Sequence, residues 1–586
     1  MKNKVLAKVG NDYRLTPAKK KEILLNNIYG VDIDAQAVEV TKLSLLLKVV
    51  ENASGQLELG MQRILPDLGN NIKCGNSLVG EDYFEGKLIV DNEERNRINP
   101  FDWAAAFPEV FSQGGFDAVV GNPPYIRIQA MQEWASEQVE YFKQKYKAAS
   151  KGNYDIYVVF VEKVLSLLNA KGKLGFILPH KFFNAQYGAP VRELISQGKH
   201  ISKIVHFGDQ QVFDGATTYT CLLFLNKQSQ DELEFTKVSD LENWRAFQSQ
   251  TSEVSETSEV SGTINAASIT AAEWNFSVGK GAGLFEKLSQ MPVKLGDVVD
   301  RIYQGPITSA DTVFLFKDFK DENDKLIFVF SKENGDWIKL EKGVLRKVIR
   351  SGSIGRYWAN TTAYVLFPYA VTETGANLLS SKEFGSKYPL AWTYLEKNKK
   401  LLENREKGAF KDMKWYRFGR NQNLAMWEKP KLLIPYMITD LSAYYDAGDS
   451  YYFINVTTGG YGITGDESKG SYFFLCGLLN SRLLNFVLKH VSTTFHGGYF
   501  AANKQYIEQL PIRAINFNEP AEKSAHDKIV TLVESMLALH KSLASAQSPV
   551  EKERLDKQIK STDHGIDTLV YDLYGLNQEE IRIVES

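Results

Sequence analysis

The N-terminal part of the chain alternates short apolar runs with longer segments in which apolar residues recur at helical spacing. The runs are NNIYGVDI, NIKCGN, FDAVVGN and KGKLGFILP, and the helical segments are AVEVTKLSLLLKVVE and NYDIYVVFVEKVLSLLNA. This alternation predicts an α/β fold with a parallel sheet whose strands are buried by helices on both faces. Ligands of such folds bind at the carboxyl ends of the strands. The segment ISKIVHFGDQQVFDGATTYTCLLFLNK then predicts a strand, a turn and a strand that complete the sheet.

Four regions follow from these patterns. Residues 1–228 form the α/β domain, and residues 229–273 a linker or insertion, because SQTSEVSETSEVSG is poor in large apolar residues. Residues 274–515 are irregular and rich in Tyr, Trp, Gly and Arg, with short strands such as AYVLFPYAV and KLLIPYMI, which predicts a mixed α+β domain. Residues 516–586 contain IVTLVESMLALHKSL and IDTLVYDLYGL, which predict two helices that pack on each other or on the preceding domain.

Composition excludes several classes of protein. Of 586 residues, 44% are hydrophobic and 12% aromatic, which excludes a mostly disordered chain. Three distant cysteines, Cys74, Cys221 and Cys476, form neither a disulfide framework nor a metal site, and they favour a reducing setting. No signal peptide or membrane-spanning run is evident, so a cytoplasmic protein is expected. The net charge of −2 does not decide whether nucleic acid is bound.

The motif with the clearest chemistry is Asn122-Pro123-Pro124-Tyr125, directly after FDAVVG. The side-chain oxygen of Asn122 and the carbonyl of Pro123 are two acceptors that together hold a planar NH2 group and aim its lone pair at a methyl donor. The prolines fix the backbone, and Tyr125 offers a stacking face worth about 1–3 kcal/mol for a base. The alternative is a rigid turn after a strand. The position at a strand end of an α/β pattern favours function.

NPPY in this setting resembles motif IV of amino-methyltransferases that use S-adenosylmethionine, in the variant typical of adenine-N6 enzymes. The order of elements resembles the gamma class of DNA methyltransferases, especially the type IIG-like restriction–modification enzymes. The resemblance implies a Rossmann-like S-adenosylmethionine methyltransferase sheet, then a target-recognition domain and C-terminal helices. It also implies that double-stranded DNA is the partner, with the target base flipped into the pocket.

The resemblance assigns cofactor contacts to two strand ends. GVDID matches the acidic strand end, where Asp32 would accept hydrogen bonds from the ribose hydroxyls, and Asp34 is assigned to the N-cap of the following helix. GNSL matches the adenine-contact motif through Asn76 and Ser77. Asn76 stands where the family usually has Asp, and a plain Gly-Asn turn is an equal alternative.

Further assignments concern target and DNA contacts. Phe213, in VFDG, matches the aromatic residue that packs on the other face of the flipped base, with an ordinary hairpin-end aromatic as the alternative. IYQG, WYRFGR, KPK, LNS and YIEQLP match the recognition region, where Arg417 and Arg420 are candidate DNA contacts or surface ion pairs. GYGITG has the letters of a nucleotide loop, but no helix opens after it, so a turn is predicted.

One element of the family has no counterpart here. The Gly-rich loop that follows the first strand and meets the methionine end of the cofactor is not found, since the stretch before Asn27 has a single glycine, Gly10. We therefore expect the first strand and this loop to be missing. An N-terminal fragment or a nuclease domain, which type IIG enzymes carry upstream, is a possible partner.

These observations leave three functions. The leading one is a site-specific DNA methyltransferase acting on adenine N6 in a restriction–modification or phage-defence system. The second is a catalytically incomplete DNA-binding fragment or one half of a split enzyme, suggested by the absent loop. The third is a protein-glutamine methyltransferase, a class that also uses NPPY but is shorter and lacks a long recognition region. An N4-cytosine target is less favoured, because Ser more often opens that motif.

Overall fold

The computed structural model describes residues 5–9, 12–51, 66–87, 90–213, 215, 218–249, 259–372, 375–448, 451–465, 471–495 and 497–586. The chain divides into two compact units, residues 1–275 and residues 276–586. Within the described ranges, no helix is both long enough and apolar enough to cross a membrane.

Unit 1 contains the predicted alternation of strands and helices. Its strands are β1 (Leu6–Val9), β2 (Asp12–Leu15), β3 (Gly30–Asp32), β4 (Ile72–Cys74), β5 (Phe116–Gly121), β6 (Leu168–Pro179), β7 (Ile201–His206), β8 (Thr220–Asn226), β9 (Glu232–Val238) and β10 (Glu259–Asn265). Its helices are α1 (Pro17–Asn27), α2 (Ala35–Val50), α3 (Asn92–Ile98), α4 (Trp103–Ala106), α5 (Pro108–Ser112), α6 (Ile128–Trp134), α7 (Ser136–Lys145), α8 (Tyr157–Leu167), α9 (Ala189–Gln197) and α10 (Leu241–Ser249).

The main sheet of unit 1 has six strands in the order β10-β9-β7-β8-β6-β5. Strands β5 and β6 run parallel, as do β7 and β9, whereas β8 is antiparallel to both of its neighbours. The strands predicted from FDAVVG, KGKLGFILP and the ISKIVH–CLLFLNK segment are confirmed. The sheet is mixed rather than parallel, because β8 returns between β6 and β7.

Two further predictions about this sheet are wrong. The interval 229–273 is not a linker, since β9 and β10 lie in it and extend the sheet beyond β7. The polar, low-complexity composition gave no sign of strand β10, which is held by backbone hydrogen bonds to β9. Residues 250–258 of that segment lie outside the described residues. Strand β5 is not buried, because it is the end strand of its sheet, and Val120 is 83% exposed.

Strands β3 and β4 form a separate parallel pair. An aromatic cluster lies between this pair and the start of β5: the ring of Tyr29, just before β3, is 5.2 Å from that of Phe107 and 6.0 Å from that of Phe116. These edge-on contacts are the favoured aromatic geometry. They bring the amino-terminal ends of β3 and β5 close together, although no backbone ladder joins the two sheets among the described residues.

Unit 2 is built from short strands and from helices of very different length. Its strands are β11 (Val299–Gln304), β12 (Leu315–Phe316), β13 (Phe319–Asp321), β14 (Leu326–Ser331), β15 (Asp336–Glu341), β16 (Leu345–Val348), β17 (Ile354–Gly355), β18 (Trp358–Ala359), β19 (Ala363–Leu366), β20 (Tyr369–Thr372), β21 (Gly375–Leu378), β22 (Lys431–Pro435), β23 (Met437–Ile438), β24 (Tyr444–Asp446), β25 (Tyr451–Tyr452), β26 (Gly460–Gly465), β27 (Thr494–Phe495) and β28 (Tyr499–Ala501). Its helices are α11 (Ala282–Ser289), α12 (Leu295–Val298), α13 (Asp311–Phe314), α14 (Ser381–Lys387), α15 (Pro389–Lys397), α16 (Lys399–Glu403), α17 (Tyr472–Leu479), α18 (Arg482–Val491), α19 (Lys504–Ile507), α20 (Pro520–Ser545), α21 (Pro549–Leu573) and α22 (Gln578–Glu585).

The strands predicted from AYVLFPYAV and KLLIPYMI are confirmed as β19, β20, β22 and β23. The segment GYGITG is no nucleotide loop, but it is also not the predicted turn. It forms β26, which lies between β11 and β22 in a four-stranded sheet. Its glycines allow close packing: a side chain at Gly462 would meet the ring of Tyr303 at 2.6 Å.

The predicted C-terminal helices are confirmed as α20 and α21, which pack against each other. Ile529 and Val533 of α20 share one hydrophobic core with Leu475 of α17 and Val570 of α21. The boundary predicted at 515/516 is therefore wrong, because these helices complete the core of unit 2 and do not form a separate segment.

Candidate active site

The NPPY segment leaves the carboxyl end of β5. Asn122 is exposed, Pro123 is buried and Pro124 is exposed. No hydrogen bond from the Asn122 side chain to another described residue is present, so its amide oxygen is open to a ligand. Pro123 is held against the protein while its neighbours face outwards. The exposed Asn122 amide fits the first acceptor of the two-acceptor hypothesis, whose role for the Pro123 carbonyl stays a prediction.

Tyr125 is held in place from two sides. Its hydroxyl donates to the carbonyl of Ile177 in β6 at 3.1 Å, and its ring meets the ring of Tyr157 edge-on at 6.3 Å. Burial raises the pKa of Tyr125 to about 12, so the hydroxyl stays protonated as a donor at neutral pH. The half-buried ring is therefore anchored at its tip.

A chain of hydroxyl groups lies behind Tyr125. The hydroxyls of Tyr157 and Tyr187 are 2.9 Å apart, and Tyr187 donates to Oδ2 of Asp155 at 3.1 Å. The backbone of Asp155 is bridged to that of Arg127, two residues after NPPY. The sequence analysis assigned no role to Tyr157 or Tyr187. The density of tyrosines in elements beside the β5 and β6 ends was the available signal.

The two strand ends assigned to a cofactor also lie together. Strands β3 and β4 are parallel neighbours, so Asp32 at the end of one and Asn76 just after the other share an edge. Asp32 is exposed, and its Oδ1 accepts the backbone N–H of Asp34 at 2.8 Å. Asp34 accepts the N–H of Gln36 at 2.8 Å, which confirms its predicted role as the N-cap of α2.

The side chain of Asn76 is buried and already takes part in contacts within the protein. It is 8% exposed, its Oδ1 accepts the N–H of Leu78 at 3.1 Å, and its amide nitrogen lies 3.4 Å from Oε1 of Gln138. One lone pair of Oδ1 remains available for a ligand amine. Ser77 is half-buried, and its carbonyl accepts the indole N–H of Trp103 at 3.1 Å.

Phe213 lies in the loop between β7 and β8 and is 36% exposed; its neighbour Asp214 is outside the described residues. Two histidines in ring contact lie at the start of this loop. The rings of His180 and His206 are 4.2 Å apart, His180 Nε2 lies 3.3 Å from the carbonyl of Gly208, and His206 Nδ1 accepts the Gly208 N–H at 3.0 Å. Burial lowers the pKa of both imidazoles, so both are neutral at neutral pH.

The two candidate DNA-contacting arginines differ. Arg417 Nη1 donates to Oδ1 of Asp412 at 2.7 Å, and its guanidinium lies over the ring of Phe410 at 4.5 Å. Arg420 is exposed, and no carboxylate of the described residues pairs with it. Arg417 therefore fits the alternative of a surface ion pair. Arg420, which has no such partner, stays the better candidate for a DNA contact.

Two family models match the chain in the order that the sequence resemblance predicts. Residues 26–213 match the Eco57I restriction-modification methylase, and residues 381–512 match the TaqI-like C-terminal specificity domain. Residues 26–213 are thus similar to a restriction–modification methylase domain. The predicted resemblance to the restriction–modification family is confirmed, with the methylase domain in unit 1 and the specificity domain in unit 2.

Individual relatives agree with the two domains. The type II restriction enzyme and methyltransferase RM.Eco57I of Escherichia coli is 28% identical over 98% of this chain and 56% of its own length, so the chain spans about half of that relative. The type II methyltransferase M.PaeR7I of Pseudomonas aeruginosa is 24% identical, over 80% of this chain and 72% of its own. The type IIL restriction–modification enzyme MmeI, solved in complex with DNA, has a TM-score of 0.53 at 14% identity, covering 96% of this chain and 73% of that one, which indicates a shared fold.

Proposed function

We propose that the chain is a site-specific DNA methyltransferase that transfers a methyl group from S-adenosylmethionine to adenine N6. The observation that carries the proposal is the exposed, unpaired amide of Asn122 beside an anchored Tyr125 at the end of β5. The match to a restriction–modification methylase followed by a specificity domain supports DNA as the substrate, and so does the DNA complex of MmeI.

In this proposal the work of the protein is positioning. Asn122 Oδ1 and the Pro123 carbonyl would accept the two N–H groups of the target amine, which holds its nitrogen lone pair towards the methyl donor. Pro123 and Pro124 contribute no competing N–H groups. Tyr125 would stack on one face of the flipped base and Phe213 on the other. The proton leaves after transfer, so no side chain of unusual basicity is needed.

Asp32 suits the proposed cofactor. One of its carboxylate oxygens caps the local turn, which leaves the exposed carboxylate able to accept ribose hydroxyls. Asn76 and Ser77 would line the adenine end through the remaining lone pair of Oδ1 and the loop backbone. When bound, S-adenosylmethionine supplies an electrophilic methyl group on a sulfonium.

The test is Asn122→Ala. We expect methyl transfer to duplex DNA to fall at least about 10²-fold, as when one preorganised hydrogen-bonding partner of a reacting group is removed. Because Asn122 is exposed and makes no internal hydrogen bond, DNA affinity and thermal stability should stay near those of the unmodified chain. Asn518→Ala, at another exposed asparagine, is the matched control. A parallel loss of transfer, affinity and stability would point to a folding role instead.

A second candidate is a DNA-binding chain that needs a further segment before it binds cofactor. Two uncovered surfaces favour it. No strand of the described residues pairs with the outer edge of β5, where Val120 is exposed. Val40, Leu43 and Leu47, spaced along one face of α2, are 58–64% exposed. An added parallel strand and helix would cover such surfaces.

Calorimetric titration with S-adenosylmethionine separates the two candidates. Binding by the chain alone supports the complete enzyme. Binding only after a Gly-rich strand-and-loop segment is supplied supports the split one. Methylation of a protein glutamine in place of DNA, measured with labelled cofactor, would instead favour the protein-glutamine methyltransferase.

A further inference from the structure

Unit 2 contains a cluster of residues with left-handed backbone. Eight described residues other than glycine have positive φ, and five of them occur together. These five are Ser309, Glu406, Lys407, Asn423 and Asn455. Left-handed backbone is unfavourable for residues with a Cβ and tends to concentrate where a loop is shaped for binding.

All five lie on or beside the segment 304–311. Ser309 Oγ donates to Oε1 of Glu406 at 2.8 Å, the amide of Asn423 donates to the carbonyl of Gln304 at 3.1 Å, and the N–H of Asn455 donates to the carbonyl of Pro306 at 3.1 Å. Three distant stretches of chain therefore converge on one short segment. The convergence is close, because a side chain at Gly305 would lie 1.7 Å from a carbonyl oxygen of Phe453.

Buried Arg405 fastens the loop that follows it. Its guanidinium donates to the carbonyls of Thr308 at 2.7 Å, Trp415 at 2.6 Å and Arg417 at 2.9 Å, and lies 4.0 Å from the centre of the Phe410 ring. These contacts hold both the start and the far side of residues 406–420. We call this stretch the 406–420 loop.

The 406–420 loop presents positive charge from a rigid frame. It contains five Lys or Arg and two Glu or Asp, a net charge of +3 in a chain whose net charge is −2. Lys411, Lys414 and Arg420 are exposed, and none forms a salt bridge within the described part of the chain; the nearby Asp412 carboxylate is paired with Arg417. At the tip between the two lysines, Met413 is 88% exposed, the highest fraction among the large apolar side chains described.

An exposed apolar tip flanked by unpaired cations matches a nucleic-acid duplex, with phosphates outside and bases within. We propose that the 406–420 loop contacts DNA, with Lys411, Lys414 and Arg420 on phosphates and Met413 against the bases. The proposal rests on the proposed DNA substrate and adds to it the element that makes the contact.

The cations are tested by the salt dependence of binding. The full chain is titrated against a fluorescently labelled duplex by anisotropy between about 50 and 200 mM salt. The triple variant Lys411→Gln, Lys414→Gln, Arg420→Gln should reduce the slope of log K against log salt by about 2.7, since each phosphate contact contributes about 0.9. The matched control is Lys552→Gln, Arg554→Gln, Lys560→Gln on exposed positions of α21, which should leave the slope unchanged.

Met413 is tested by affinity at one salt concentration. Met413→Ala should weaken DNA binding roughly tenfold without changing the salt slope. In the proposed complex the Met413 side chain is buried against the bases, and it contributes to affinity through apolar contact and not through charge. Met413→Leu should retain most of the affinity. Val550→Ala, at another apolar side chain that is 77% exposed, is the control and should have no effect. Thermal unfolding checks that each variant folds.

Several outcomes would overturn the loop assignment: an unchanged slope in the loop triple, equal changes in both triples, wild-type affinity of Met413→Ala, or no DNA binding by the unmodified chain. The readout requires no methyl transfer. DNA binding that depends on the loop, without methyl transfer, would thus contradict the proposed methyltransferase activity and support the DNA contact of the 406–420 loop. Methyl transfer to DNA with binding that is unaffected by the loop variants would support the activity and contradict the loop contact.

Discussion

Replacing Arg405 by lysine tests whether long-range hydrogen bonds hold the 406–420 loop in its strained form. Arg405 is 6% exposed and donates from all three guanidinium nitrogens to four carbonyls, those of Leu402, Thr308, Trp415 and Arg417. A lysine carries one nitrogen on a flexible stem and reaches one or two of these oxygens. Burial lowers the pKa of Arg405 to about 10, so the side chain is still charged at neutral pH.

The magnitude follows from opposing contributions. A hydrogen bond from a charged donor contributes about 1.5–3 kcal/mol, so losing two or three of them removes about 3–9 kcal/mol. Glu406 (φ 47°) and Lys407 (φ 61°) are left-handed, which costs about 1–2 kcal/mol each. With a single bond remaining, the attachment of about 1.5–3 kcal/mol is comparable to the strain of about 2–4 kcal/mol in these two residues. We therefore expect Arg405→Lys to release the turn as well as destabilise unit 2.

Hydrogen exchange of peptides covering residues 402–420 and urea unfolding measure the two effects. The matched second variant is Lys407→Gly, because glycine adopts positive φ without the Cβ penalty. Added to Arg405→Lys, it should recover about 1 kcal/mol. If Arg405→Lys left exchange unchanged and lost less than about 1 kcal/mol, or if Lys407→Gly gave no recovery, the balance of strain and hydrogen bonds would be refuted.

Three further predictions concern buried polar groups. Tyr187→Phe leaves the fully buried Tyr157 hydroxyl without its hydrogen-bond partner and should lower the free energy of unfolding in urea by about 1–3 kcal/mol. A loss below about 0.5 kcal/mol would show that water replaces the bond. Burial lowers the pKa of His180 from 6.5 to about 4, so unit 1 should lose stability as pH falls from about 6.5 towards 4, by at most about 1.4 kcal/mol per pH unit; thermal unfolding of His180→Asn should show a flatter pH dependence, and an equal one contradicts the assignment. Asp446→Ala leaves the fully buried Lys431 ammonium without its carboxylate and should lower the free energy of unfolding by about 3–5 kcal/mol. The double variant Lys431→Met, Asp446→Leu should recover most of this loss. An equal loss in both variants would exclude the unpaired buried charge as the cause.

Much of the methylase domain was predictable because its signals are local. Strand ends, helix starts and the NPPY turn are each specified by residues that are close together in the sequence. The N-cap at Asp34 is one example, since an Asx side chain bonds an N–H two residues away. The roles proposed for Asn122, Asp32 and Phe213 stay predictions drawn from motif and placement.

The incorrect predictions share one physical cause. Strand β10 has an unpromising composition but is stabilised by its ladder to β9, and β5 is apolar yet exposed because exposure depends on which strands lie beside it. The GYGITG letters describe a turn, a loop or a strand equally well until β11 and β22 flank them.

The amino-acid sequence by itself determined the alternating α/β domain, the chemical motif at a strand end and the order of the two domains, because each depends on contacts between residues near in the chain. Tertiary structure alone decided the partners: which strands pair, which apolar faces stay uncovered, and how Arg405 joins segments about a hundred residues apart to shape one loop. Such contacts depend on loop closure and packing over the whole unit, and no local pattern records them.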